Sequence, residues 1–106
     1  MESNEALQKQ VEQWFNDGLV LASQGKFEEA IAVWHQIRRE DSSTGYAMAQ
    51  TNIGIAFNKQ GNVDGEIAAY RNVRREDSAE QYAKAQFNLG VTLGRKKEDV
   101  DGAIEA

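Results

Sequence analysis

The stretch IRREDSSTGYAMAQTNIG, residues 37 to 54, returns later in the chain as VRREDSAEQYAKAQFNLG, residues 73 to 90. The segment RREDS is unchanged between the two copies, and its first residues, Arg38 and Arg74, lie 36 positions apart. All six named residues of the motif Tyr-Ala-x-Ala-Gln-x-Asn-x-Gly, which begins at Tyr46, return at the same offset. A fixed period of about 20 to 50 residues is the signature of stacked-repeat proteins. The sequence therefore predicts an array of similar structural units.

Apolar residues recur at intervals of three and four along most of the chain, which predicts amphipathic helices. Gly25 and Gly61 interrupt this pattern and suit the left-handed residue that ends a helix. Ser42 or Ser43 can cap the third helix, and Ser78 can cap the fifth. We predict one domain over residues 1–106, with helix pairs at about 5–39, 44–75 and 79–106.

The last helix pair is expected to be truncated. The segment VDGAIEA (100–106) parallels VDGEIAA (63–69), which starts the second helix of the preceding pair. We therefore expect the fifth helix to end near Gly94, a turn over 95–99, and a sixth helix that begins near Val100.

Composition limits the class of protein. With 41% hydrophobic and 27% charged residues, the chain suits a soluble globular domain. Its net charge of −5 makes duplex nucleic acid a poor partner, and the absence of cysteine excludes disulfides and thiolate metal sites. No apolar run approaches the roughly 20 residues of a membrane span. The N-terminal segment has no signal-peptide pattern, so we expect a cytoplasmic protein with no membrane partner.

Residues of a known repeat pattern recur along the chain. In the first repeat they are Trp14, Gly18, Leu21, Gly25, Phe27, Ala30, Trp34 and Ile37, and later Gly54, Phe57, Gly61, Val63, Tyr70, Gly90 and Leu93. In type and spacing this pattern resembles the tetratricopeptide repeat (TPR) family. The resemblance implies an all-α fold, a right-handed superhelical array of antiparallel helix pairs (a TPR-like α-solenoid), here with about two and a half repeats. It also implies that Gly18, Gly54 and Gly90 lie where the second helix of a pair presses on the first.

Three features depart from that family. The period is 36 residues where the family has about 34. Glu40-Asp41-Ser42 stands in place of the usual closing proline, and both features are closer to Sel1-like repeats. Glu66 occupies the place of the small residue Ala30, and we predict that its carboxylate turns to solvent.

The resemblance implies that the first helices line a concave groove for an extended peptide or a partner's helix. Carried over by position, the predicted peptide-binding residues are Phe15, Asn16, Thr51, Asn52, Lys59, Lys84, Phe87, Asn88 and Arg95. Asn16, Asn52 and Asn88 recur once per repeat, and an amide can both donate to and accept from a peptide backbone. The alternative is that these amides bond locally between helices.

The three cations Lys59, Lys84 and Arg95 make one end of this groove basic, which would attract an acidic peptide. The alternative is a solvated charged rim. In RREDS, arginines at the last turn of a helix favour its negative end, and the adjacent Glu-Asp offsets their charge, so no nucleic-acid site is expected there.

Catalysis finds little support in the sequence. His35 is the only histidine, and no nucleophile lies at helical spacing from it. We therefore expect no catalytic residue, metal or cofactor, and interpret the chain as a non-catalytic protein-protein interaction module. Two alternatives are a scaffold that self-assembles into a homo-oligomer through the exposed face of the C-terminal repeat, and the interaction segment of a larger enzyme or signalling protein.

Overall fold

The computed structural model describes the backbone of residues 2–105 and the side chains of residues 4–99, and this part of the chain consists of helices joined by turns, without strands. The helices are α1 (Glu2–Ser23), α2 (Phe27–Trp34), α3 (Ser43–Gln60), α4 (Val63–Arg71) and α5 (Ala79–Glu105). The all-α prediction is confirmed for these residues. None of the described helices has both the length and the apolar character needed to cross a bilayer.

Serine caps begin two of the helices as predicted. The Ser42 hydroxyl accepts a hydrogen bond from the Gly45 backbone N–H at 2.9 Å, and Ser78 accepts one from Gln81 N–H at 3.2 Å. Each bond satisfies a backbone donor that has no partner within the first turn of its helix. The repeated serine therefore fixes where α3 and α5 start.

Left-handed glycines end α1 and α3. Gly25 and Gly61 have φ of 78° and 75°. One period after Gly61 stands Lys97, and a side chain costs about 1–2 kcal/mol in the left-handed conformation. The predicted turn over 95–99 and separate sixth helix are wrong, because α5 continues to Glu105, and Arg95-Lys96-Lys97-Glu98, where the turn was expected, are all good helix formers. Side chains of the segment 100–106 lie outside the described residues.

The second helices of the pairs are shorter than predicted. α2 ends at Trp34 and α4 at Arg71, whereas the apolar spacing predicts helices through Arg39 and Arg75. After Trp34 the chain tightens, and the Ile37 N–H donates to the Trp34 carbonyl at 3.0 Å. Because a 3₁₀-type turn also places every third residue on one side, Ile37 is buried without belonging to the helix.

Each helix packs on its neighbours in the chain, and α3 also contacts α1 and α5. Trp34 and Tyr70, both 2% exposed, anchor two successive hydrophobic clusters. A Cβ at Gly18 would lie 2.6 Å from Trp34 Cδ1, and one at Gly54 2.6 Å from Tyr70 Cδ1, so the predicted close approach is confirmed at both glycines. At Gly90 the prediction is wrong, because no described atom would lie within 4 Å of such a Cβ.

The repeated RREDS segment links consecutive repeats. Arg39 donates from Nε and Nη2 to the Asp77 carboxylate at 2.8 and 2.9 Å, and from Nη2 to the Asn72 carbonyl at 2.8 Å. Its guanidinium also lies 4.4 Å from the centre of the Tyr46 ring. Because α2 ends at Trp34, the predicted placement of this arginine in the last helical turn is wrong. Arg39 instead joins the loops that follow α2 and α4.

Candidate binding groove

A groove runs across the first helices of the pairs, α1, α3 and α5. Its central depression has a volume of about 630 Å³ and receives side chains from all three helices. Depressions of about 570, 360 and 290 Å³ adjoin it. Each shares lining residues with the central depression. The 570 Å³ depression shares Phe15 and Met48, the 360 Å³ depression shares Ile55, Phe87 and Asn88, and the 290 Å³ depression shares Asn52 and Ile55. We call this continuous surface the groove.

All nine predicted binding residues lie along this groove. The central depression is lined by Phe15, Thr51, Asn52, Lys84, Phe87 and Asn88. Asn16 lines the 570 Å³ depression near the start of α3. Arg95 lines the 360 Å³ depression near α4, and Lys59 lines the 290 Å³ depression beside Phe27. The structure thus brings the predicted residues onto one surface, although residues 15 and 95 are far apart in sequence.

Apolar side chains on this surface are unusually exposed. Phe87 is 73% exposed, and Val91, one turn later on α5, is exposed beside it. Ile55 of α3 is exposed in the same depressions. Phenylalanine is usually among the most buried residue types, and contiguous exposed apolar groups mark interaction surfaces. The groove can therefore accept an apolar side chain from a partner.

The three asparagines differ in their surroundings. Asn16 is exposed, while Asn52 and Asn88 are half-buried. Among the described residues, a hydrogen bond between two other amide side chains joins α3 to the end of α4: Asn72 donates to Gln50 at 3.0 Å. Asn88 and Tyr70 line the same depression of the groove. Each of the three asparagines lines a depression of the groove.

Thr51 contributes less to the groove than its position suggests. Its side chain is almost fully buried, and its hydroxyl donates to the Ala47 carbonyl at 2.9 Å within α3. The hydroxyl is therefore already satisfied, and we assign Thr51 to the wall of the depression.

Glu66 is buried against the groove, and the prediction that its carboxylate turns to solvent is wrong. The residue is 3% exposed, and it accepts a hydrogen bond from Thr92 Oγ1 at 2.8 Å and approaches Arg95 Nη2 at 3.4 Å. When the amide oxygen of Asn58 faces Arg95, it accepts a hydrogen bond from Arg95 Nη2 at 3.0 Å. Burial of a carboxylate is tolerated here because α5 supplies a cation and a hydroxyl.

This polar cluster also acts on Tyr70. Burial raises the pKa of Tyr70 to about 12, and the nearby Glu66 carboxylate adds to the increase because it disfavours a second negative charge. The phenol therefore stays protonated well above the pH at which an ordinary tyrosine ionises, and it can donate to its neighbours. The cluster fixes α4 against α5 at one end of the groove.

The positive charge of the groove is partly offset. Lys84 Nζ lies 3.5 Å from Glu80, and Arg95 lies 3.4 Å from Glu66. Lys59, in the last turn of α3, is exposed. Two of the three predicted cations thus already face a carboxylate, which weakens the expected attraction for an acidic peptide.

Sequence reasoning missed the polar cluster, although a signal for it was present. One period before Glu66 stands Ala30, and one period before Thr92 stands Ala56, both buried in the first cluster. Two alanines of neighbouring helices are thus replaced together by groups that can hydrogen-bond. A repeat alignment reveals such a paired change.

Over residues 4–99, no three His, Cys, Asp or Glu side chains come together as a metal site, and His35 is exposed. Comparisons of the chain with protein-family models, with curated proteins and with solved structures found no match. The groove is therefore interpreted from its own geometry.

Proposed function

We propose that this chain is a non-catalytic protein-interaction module, a right-handed TPR-like superhelical array whose groove binds an extended peptide or a partner's helix. The 73% exposure of Phe87, in the wall of a depression lined by three helices, carries this proposal. The repeated seating of Trp34 on Gly18 and of Tyr70 on Gly54 supports the superhelical arrangement, because each helix pair packs in the same way.

Phe87 and Ile55 would supply most of the binding free energy. Fully burying a phenylalanine side chain contributes about 1.5–3 kcal/mol, and a few such anchors usually dominate an interface. The Asn52 amide would then fix the register of the ligand through its backbone, at about 0.5–1.5 kcal/mol per hydrogen bond. The expected ligand therefore has an apolar anchor residue within an extended segment. Carboxylates near Lys59 would add a smaller contribution.

A peptide library displayed on phage tests this proposal. Peptides are selected on the wild-type chain, and their affinities for variants are measured by calorimetry. Phe87→Ala should weaken binding about tenfold or more, because it removes the central anchor. Asn52→Ala combined with Asn88→Ala should also weaken binding while the helix content measured by circular dichroism is kept.

Val20→Ala is the matched control, since Val20 is a 55% exposed apolar residue on α1 that lines none of the groove's depressions. Its affinity for the selected peptides should equal that of the wild type. Peptides that bind Phe87→Ala as tightly as the wild type would refute binding in the groove.

A further inference from the structure

One face of α5 is exposed where the corresponding face of α3 is covered. The exposed residues, which we call the α5 stripe, are Ala83, Gln86, Gly90 and Leu93. One period earlier stand Ala47, Gln50, Gly54 and Phe57, of which the first three are buried and the fourth is half-buried. Three of the four residue types are identical between the two helices. The different exposure therefore comes from what packs on each helix.

On α3 the covering element is α4 with the loop that follows it. Tyr70 sits on Gly54, and the Asn72 amide donates to Gln50 Oε1 at 3.0 Å. Asp77, in the loop, accepts two hydrogen bonds from Arg39. An aromatic residue, an asparagine and an aspartate at fixed spacing thus hold a second helix on a first helix.

The same receiving groups are present around α5. Among the described residues, Gly90 has open space where Gly54 has the Tyr70 ring, and Gln86 is exposed where Gln50 bonds Asn72. Arg75 lies 5.4 Å from the centre of the Tyr82 ring, as Arg39 lies over Tyr46. Arg75, Tyr82 and Gln86 line a depression of about 460 Å³ on this side of the molecule.

We infer that the α5 stripe and Arg75 form a docking site for an amphipathic helix of the α4 type, supplied by another polypeptide. This helix carries an aromatic residue for the seat at Gly90, an asparagine two positions later for Gln86, and an aspartate five positions beyond that for Arg75. A second copy of this chain fits the site less well. Its candidate aromatic residues, Trp34 and Tyr70, are each 2% exposed and already packed on Gly18 and Gly54.

This site is separate from the groove. Gln86, Gly90 and Leu93 line none of the groove's four depressions, although Ala83 borders the central one, and Phe87 lines none of the space beside Arg75. Charge also favours the inferred helix, since Arg74 and Arg75 are exposed at the edge of the depression and would attract its aspartate. Docking on the α5 stripe and binding in the groove can therefore succeed or fail independently.

The test uses the peptide VDGEIAAYRNVRREDS, the chain's own residues 63–78, labelled and titrated with the full chain by fluorescence anisotropy. Saturable binding at one site is expected. In the full chain, Gly90→Leu should weaken binding about tenfold or more by filling the aromatic seat. It should keep the fold, because the new side chain enters open space on an exposed helix position. Arg75→Ala should weaken binding about tenfold, the loss expected for a charge-assisted hydrogen bond.

Matched peptides and variants complete the design. The peptide with Asn72→Ala should bind more weakly than the unmodified one, and Phe87→Ala in the full chain should leave the affinity unchanged. Absence of binding, or equal binding to wild type and Gly90→Leu, overturns the inference. So does loss of binding in Phe87→Ala, which would place the peptide in the groove. Sedimentation that shows a dimer broken by Gly90→Leu would make the second copy the occupant and overturn the inference as well.

Discussion

Replacing Gly54 and Gly90 by alanine should change stability in opposite directions. The two glycines occupy the same position of successive repeats, one period apart on α3 and α5. Gly54 receives the Tyr70 ring, whereas Gly90 faces open space among the described residues. The same one-methyl change is thus made twice on equivalent helices, and only the neighbouring atoms differ.

The magnitudes follow from the contacts. At Gly54 a Cβ would lie 2.6 Å from Cδ1 and 2.8 Å from Cζ of Tyr70, and the ring cannot retreat because it is buried between α3, α4 and α5. Overpacking a core costs about 1–3 kcal/mol, and alanine regains about 1 kcal/mol over glycine within a helix. Because several ring atoms clash at once, Gly54→Ala should lower the free energy of unfolding by about 2 kcal/mol. Gly90→Ala should raise it by about 0.5–1 kcal/mol.

Urea denaturation followed by far-UV circular dichroism measures both changes against the wild type. The midpoint should fall for Gly54→Ala and rise for Gly90→Ala, with similar dependence on urea concentration in all three proteins. Equal changes of the same sign would refute the account, since they would mean that α4 does not press on α3 at Gly54 or that α5 is covered at Gly90.

Three further predictions concern the polar contacts. Arg39→Ala removes both bonds to Asp77, whose side chain is 3% exposed, and should clearly lower the urea midpoint; the control Arg38→Ala, at a side chain 66% exposed, should change the midpoint little. Hydrogen bonding to Arg39 holds the pKa of Asp77 below its usual value of 3.8, so this contribution is present above about pH 4 and is lost as the pH falls through the folded-state pKa. In acid titrations of stability, the wild type should therefore converge on Arg39→Ala at low pH. In a double-mutant cycle, Glu66→Ala and Thr92→Ala together should cost less than the sum of the single changes by about 1 kcal/mol, because the pair restores the two alanines of the first repeat.

Each of these predictions has a contrary outcome. Equal losses for Arg39→Ala and Arg38→Ala would deny the link between repeats. A constant difference between wild type and Arg39→Ala down to strongly acidic pH would deny that the Asp77 carboxylate carries it. Additive losses in the double-mutant cycle would mean that Glu66 and Thr92 do not act together.

The serine-capped starts of α3 and α5 and the glycine-marked ends of α1 and α3 were predictable from sequence because their signals are local. Ser42 and Ser78 cap α3 and α5 as expected, and Gly25 and Gly61 adopt the left-handed conformation that the interrupted pattern predicts. The continuous α5 was also readable in principle, since Lys97 stands one period after Gly61. The parallel between 100–106 and 63–69 favoured a turn over 95–99. Because Lys97 stands where a left-handed glycine would be needed, the chain keeps its helical conformation.

Other features depend on distant partners or ambiguous spacing. A gap of three residues from Trp34 to Ile37 fits an α-helix and a 3₁₀-type turn equally, so the end of α2 was predicted too late. Burial of Glu66 depends on Thr92 and Arg95, which lie 26 and 29 residues later. For the groove, the repeat period indicated which residues share a face, whereas the pairing of its cations with carboxylates required the packed helices.

Binding in the groove is tested most directly by a titration of the ¹⁵N-labelled chain with a selected peptide, followed by amide chemical shifts. The account predicts that the largest changes cluster at Asn52, Ile55, Lys84 and Phe87, on the facing surfaces of α3 and α5. Changes concentrated at Gln86 and Gly90 instead, or at Val20 on the outer side of α1, would contradict it.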